Sequence, residues 1–166
     1  MEKTNTGNGF PGYPKQTPMP LADWLTIPGL VVHEMCHYIA GVTLGWHVTK
    51  AAIIGHPGYV FFEEGGRASP LESFWVNLSP LWLGVPFAAL FIRTALTSCF
   101  YGSELLPSAF FMWSGVSVFF ALPSPGDWGG FEKALKMKEK AIPKVAIFVV
   151  NAAYSLLIFH LFGIFQ

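Results

Sequence analysis

Two histidines and a glutamate stand at the spacing of a zinc site within Pro28–Trp46, PGLVVHEMCHYIAGVTLGW. On a helix turning about 100° per residue, His33 and His37 point within about 40° of each other, and Glu34 lies about 60° beyond His37 on the edge of that face. This is the HExxH pattern, in which two imidazoles hold zinc and the glutamate acts as general base. The surrounding stretch is apolar enough to enter a membrane. A charged residue at the centre of a membrane helix costs about 2.5–3.5 kcal/mol on insertion scales, so three polar groups there point to function rather than to a chance match. Cys36 falls on the side of His33 away from His37, where ligation would need strained geometry, and is expected to pack.

Catalytic zinc takes three protein ligands and keeps a fourth position for water. A metzincin would supply a third histidine six residues after His37, but Thr43 stands there and Ala40 replaces that motif's glycine. Glu63, Glu64, Glu72 and Glu104 fall in loops or at segment ends, His47 and His56 near the membrane surface, and His160 alone on the last apolar run. Asp127 follows a Pro-Ser-Pro-Gly turn at the end of an apolar segment. Two roles are open to it: third zinc ligand, or cap of the lysine-rich helix that follows. As a ligand it must reach inward on a broken backbone, because His37 lies about 13 Å along the helix from Trp46.

Composition sets the environment. Of 166 residues, 52% are hydrophobic and only 12% charged, whereas a soluble domain carries about 25% charged residues. Net charge is zero and no basic patch of the kind that tracks nucleic acid is present. Two cysteines, Cys36 and Cys99, both in apolar runs, suggest neither a disulfide framework nor a thiolate zinc site.

The expected architecture is an all-α membrane bundle of about four transmembrane helices with a small β-hairpin at the membrane surface after the first. Residues 1–20 are rich in Pro, Gly, Asn and Thr and read as a flexible tail without a signal-peptide core; 21–166 form one integral membrane domain. The first span is the HExxH helix, bracketed by Trp24 and Trp46. Val48–Ile54 and Tyr59–Phe62 flank Gly55-His-Pro-Gly58 as a hairpin. Later apolar segments run over Leu71–Leu96, kinked at Pro80 and Pro86, Leu105–Leu122, and Ala146–Phe165, with a lysine-rich amphipathic piece at Phe131–Lys144. Ser73 and Asn77 share a face of the second segment, and Asn151, Tyr154 and Ser155 one of the last.

With four spans, the loops at 47–70 and 123–144 share a side that holds Lys50, Arg67, Lys133, Lys136, Lys138, Lys140 and Lys144, leaving Lys3, Lys15 and Arg93 opposite. The positive-inside rule makes the first side cytoplasmic, with the active site toward it and both termini on the non-cytoplasmic side.

An HExxH in the first membrane helix, a surface hairpin, and an Asp among Pro and Gly two helices later resemble the site-2 protease class of intramembrane zinc metalloproteases. The resemblance spans about Pro28 to Gly130 and rests on His33-Glu-Met-Cys-His37 and Leu122-Pro-Ser-Pro-Gly-Asp127-Trp-Gly-Gly130. It implies that His33, His37 and Asp127 bind zinc, that Glu34 activates water, and that an embedded helix of a membrane-protein substrate is cut. Trp128 interrupts the family's Asp-Gly-Gly run, and Phe120 stands where an asparagine often precedes the proline turn. Asn77 is a candidate substitute polar group and oxyanion donor, or else a structural residue joining two helices. The hairpin could hold an unwound substrate strand by edge pairing. Five histidines with one cluster are too few for a di-iron desaturase. A non-catalytic, zinc-stabilised membrane protein that binds partner helices is the alternative to the protease.

Overall fold

The computed structural model describes residues 24–53, 58–63, 69–100, 105–120, 122–123, 125–137 and 142–165. The expected tail, the hairpin turn with His56, and Glu64, Arg67, Glu104, Lys138 and Lys140 lie outside them. The chain is mostly helical with one small antiparallel sheet.

Helix α1 (Ile27–Thr43) starts with Pro28 in its first turn, where a missing N–H costs nothing. Gly45, at φ 75°, ends it: the N–H groups of Gly45 and Trp46 donate to the carbonyls of Val42 and Gly41, satisfying the last turn and turning the chain into the hairpin. Strands β1 (Val48–Ala52) and β2 (Tyr59–Phe62) pair antiparallel, as the sequence pattern predicts, with an irregularity between Val48 and Lys50. The hairpin docks onto α1 through Phe62, whose ring fills the space where a side chain on Gly41 would sit.

Helix α2 (Pro70–Asn77) opens with a capping box between Ser69 and Glu72. The expected kink at Pro80 is a break with a π turn, Pro80–Gly84, that leads into α3 (Val85–Phe100). Pro86 makes no second break because it falls in the first turn of α3. Helix α4 (Leu105–Phe120) packs against α3, with Gly115 close to the Ala88 carbonyl, and against α1, with Gly29 on the Ser117 backbone. Helix α5 (Pro125–Ala134) packs on α2, and α6 (Lys144–Leu161) on α3 and α5.

One expectation is displaced here. The sequence suggests a Pro/Gly-rich turn over 123–130 ahead of a lysine-rich amphipathic piece at Phe131–Lys144, yet the helix begins at Pro125 and ends at Ala134. Proline suits a first helical position and an acidic residue suits the first turn, so Pro125 and Asp127 together start a helix.

The interior is built from small and hydroxyl-bearing residues: Cys36, Ala40, Ser79, Ala88, Ala89, Ala95, Ser108, Ser114, Ser117 and Ser155 are buried. Large apolar side chains such as Leu105, Phe110, Phe148 and Leu156 face outward. Helices in lipid associate by such close approach of small residues, with bulk turned to the acyl chains. Among the described residues two helical stretches are long and apolar enough to cross a membrane, Pro80–Phe100 and Lys144–Leu161; Leu105–Phe119 is apolar but shorter. The larger buried side chains Leu78, Trp128 and Ile147 cluster with Phe74, Trp82 and Phe131, clamping α5 between α2 and α6.

Candidate metal centre

The middle of α1 supplies His33, Glu34 and His37, and the first turn of α5 supplies Asp127. Helical spacing stacks the two imidazoles, whose centroids are 4.8 Å apart with ring planes at 79°. Their Nε2 atoms lie 3.1 Å apart. The Asp127 carboxylate closes the triangle, with Oδ1 3.3 Å from His37 Nε2 and Oδ2 3.6 Å from His33 Nε2.

One ligand atom from each residue lies within 4.8 Å of the other two, so the three form a group that can hold a metal ion. Tetrahedral zinc with bonds of about 2.0–2.1 Å sets its ligand atoms about 3.3 Å apart, close to the spacing of the two Nε2 atoms and of His37 Nε2 from Asp127 Oδ1. Two imidazoles and a carboxylate are also a donor set that zinc accepts in catalytic sites. Among the described residues no other His, Cys, Asp or Glu joins the group. Cys36 is buried and packs beside Gly84 and Val118, matching the packing role expected for it.

His37 is oriented from behind. Its Nδ1 lies 2.8 Å from the Val76 carbonyl at the end of α2 and 3.2 Å from Ser79 Oγ. A carbonyl only accepts, which assigns the ring hydrogen to Nδ1 and leaves the Nε2 lone pair facing Asp127 and His33. Metal-binding histidines are commonly held this way through the nitrogen they do not use for the metal.

Glu34, buried on α1, faces the hairpin: Gly58, just ahead of β2, approaches it so closely that a Cβ there would fall 2.8 Å from Oε1. Glu34, His37 and Asp127 line a cavity of about 650 Å³ whose opposite wall is β2, Tyr59 to Phe62. Ser73, Gly130 and Lys133 lie along its side.

Asn77 lines the same cavity. Its Nδ2 donates to the Ser73 carbonyl at 2.9 Å and to Ser73 Oγ at 2.7 Å, and its Oδ1 lies against Gly130. Both donors of the amide are thereby engaged within α2, while the Ser73 hydroxyl makes the bond across to α5, donating to the Gly130 carbonyl at 3.4 Å. Trp128, the interruption in the family pattern, turns into the Leu78–Ile147 cluster, where it anchors the helix carrying Asp127. His47, His160 and Glu72 lie apart from the metal group.

The residues that the sequence did not single out are Val76, Ser79 and Gly58. Ser79 and Pro80 follow Val76 in the run VNLSP, and the proline carries a signal for a freed carbonyl; nothing local to Gly58 indicates its approach to Glu34.

The chain matches no protein-family model, no curated protein and no solved structure.

Proposed function

We propose that the protein is a zinc-dependent intramembrane endopeptidase, in keeping with its resemblance to site-2 proteases, that hydrolyses a peptide bond in or near a transmembrane segment of a membrane-protein substrate. One observation carries the reading: His37 and Asp127, which form the triangle with His33, line together with a buried glutamate a cavity walled by a strand. A structural zinc site closes with four protein ligands, so a three-residue group on a cavity favours catalysis over a merely zinc-stabilised fold.

Bound zinc supplies Lewis acidity toward a carbonyl oxygen and lets water ionise near neutral pH. Glu34 takes the proton of the attacking water and returns it to the leaving nitrogen. Tyr59–Phe62 of β2 line the cavity, so an extended segment lying there can set its own N–H and C=O groups along the strand edge. A substrate helix hides those groups in its own i to i−4 bonds and must unwind locally to use that edge. The small-residue interior and outward apolar faces favour a multi-pass chain of four spans, with α1 and α4 crossing beside the two longer stretches. The bias of basic residues favours the hairpin and the lysine-rich loop on the cytoplasmic side.

The test joins metal analysis to proteolysis. Purified protein should carry about one zinc per chain, and Glu34→Gln should retain that zinc while losing cleavage of a reconstituted membrane substrate. Undiminished cleavage by Glu34→Gln, or a wild-type chain with no zinc affinity, sinks the reading. A C-terminal topology reporter should read non-cytoplasmic.

A further inference from the structure

His37 is held through a gap in the helix ladder. In an uninterrupted helix the Val76 carbonyl would accept the N–H of residue 80, but residue 80 is proline and has none. Two side chains take up the carbonyl instead: His37 at 2.8 Å through Nδ1, and Ser79 at 2.7 Å through its hydroxyl. The Leu78 N–H at the end of α2, which donates to the Phe74 carbonyl, also turns toward this oxygen. Val76 and Ser79 are buried, so water is a poor replacement for either donor. The backbone then continues through a π turn, a distortion that recurs at functional sites.

We propose that Pro80 is a positioning residue for the metal centre: by withholding a backbone N–H it reserves the Val76 carbonyl for His37. The reserved carbonyl fixes hydrogen on Nδ1, sets the plane of the ring, and directs Nε2 at Asp127 and His33. The inference rests on the metal reading above and adds to it a residue that touches neither metal nor substrate. Its consequence is unusual for a proline substitution. Pro80→Ala introduces an amide that can complete the ladder, and a regular helix is gained at the expense of the histidine. Ser79→Ala is the milder change, because it removes one donor to Val76 and leaves the imidazole bond in place.

The experiment measures zinc affinity of the purified full chain by competition with a chromogenic chelator, for wild type, Pro80→Ala, Ser79→Ala and Pro86→Ala. Loss of the partner that orients a metal-bound histidine weakens affinity about 10–100-fold, and that is the change expected for Pro80→Ala. Pro86→Ala, the same substitution six residues further along the chain, should leave affinity unchanged, and Ser79→Ala should fall between. Wild-type affinity in Pro80→Ala overturns the proposal, as does an equal loss in Pro86→Ala, which would mark a general effect of straightening the helix. A second readout needs no variant: imidazole ¹⁵N shifts of the metal-free wild type should show His37 with hydrogen on Nδ1, and hydrogen on Nε2 alone overturns the proposal. A wild-type chain that takes up no zinc counts against the protease reading, and the His37 tautomer then decides the positioning role by itself.

Discussion

Gly58 and Glu34 are packed so that a Cβ on the glycine would lie 2.8 Å from the carboxylate oxygen and 2.9 Å from Cγ. The atoms that must give way are the movable end of a side chain, so Gly58→Ala should cost little stability. What moves, however, is the residue proposed as general base. The expected result is a fall in turnover of about 10²-fold or more, the scale set by losing a positioned acid–base group, with zinc content unchanged. Metal analysis and a cleavage assay on the same preparation check it.

Gly130 sits one helical turn after Asp127, against Asn77, and a Cβ there would fall 2.6 Å from Oδ1. That amide is itself fixed by Ser73, so it cannot swing away as freely as Glu34 can. Gly130→Ala should push α5 off α2 and carry Asp127 away from the imidazoles. Weaker zinc binding and lost cleavage are expected together, in contrast to Gly58→Ala, where only cleavage suffers.

Asp127→Asn keeps size and removes the charge that balances a divalent ion. Zinc affinity should drop by at least the 10–100-fold seen when supporting groups alone are lost. Helicity should persist, because α5 is also held by Trp128 in the Leu78–Ile147 cluster. Chelator competition and circular dichroism on the variant separate the two effects.

Two glycines of the bundle should respond in opposite ways. A Cβ on Gly29 would meet the backbone oxygen of Ser117 at 2.0 Å, and neither helix can yield without parting α1 from α4. Gly29→Ala should destabilise by about 1–3 kcal/mol, the range for overpacking a tight interior. On Gly84 the nearest atoms would be 3.8 Å away, ordinary contact distance. Gly84→Ala should be neutral or gain up to about 1 kcal/mol from lower backbone freedom. Thermal unfolding in detergent compares the pair.

His33, Glu34 and His37 could be read in the sequence because a metal motif within one helix depends on local spacing alone. Asp127 needed more, since spacing left it open between ligand and helix cap; in the structure it stands in a first helical turn and faces the histidines at once. The hairpin was legible from two short runs around a glycine–proline turn. The start of α5 is hidden in the sequence because Pro and Gly also suit a turn, although Pro125 stands at the first position of a helix. The hold on His37 was out of reach for a different reason. It comes from a backbone oxygen 39 residues away, and side-chain identity carries no sign of which carbonyl a neighbouring helix will present. Pro80 marked the carbonyl that would be free but not the group that would use it.

Helix α1 has 17 residues and α4 has 16. At 1.5 Å per residue they reach about 24–26 Å, several ångströms short of a hydrocarbon core about 30 Å thick. Taken as spans, both helices require the bilayer to thin around them, at a cost of fractions of a kcal/mol for each ångström of mismatch. Pro80–Phe100, with 21 residues, does not share that demand, and Lys144–Leu161, with 18, shares less of it, so the deformation would be greatest on the side of the molecule where His33 and His37 lie. Lipid compressed there brings headgroups and water nearer to the buried glutamate. Activity should therefore depend on acyl-chain length, and short-chain vesicles should shorten the distance that a substrate must travel out of the hydrocarbon before it is cut.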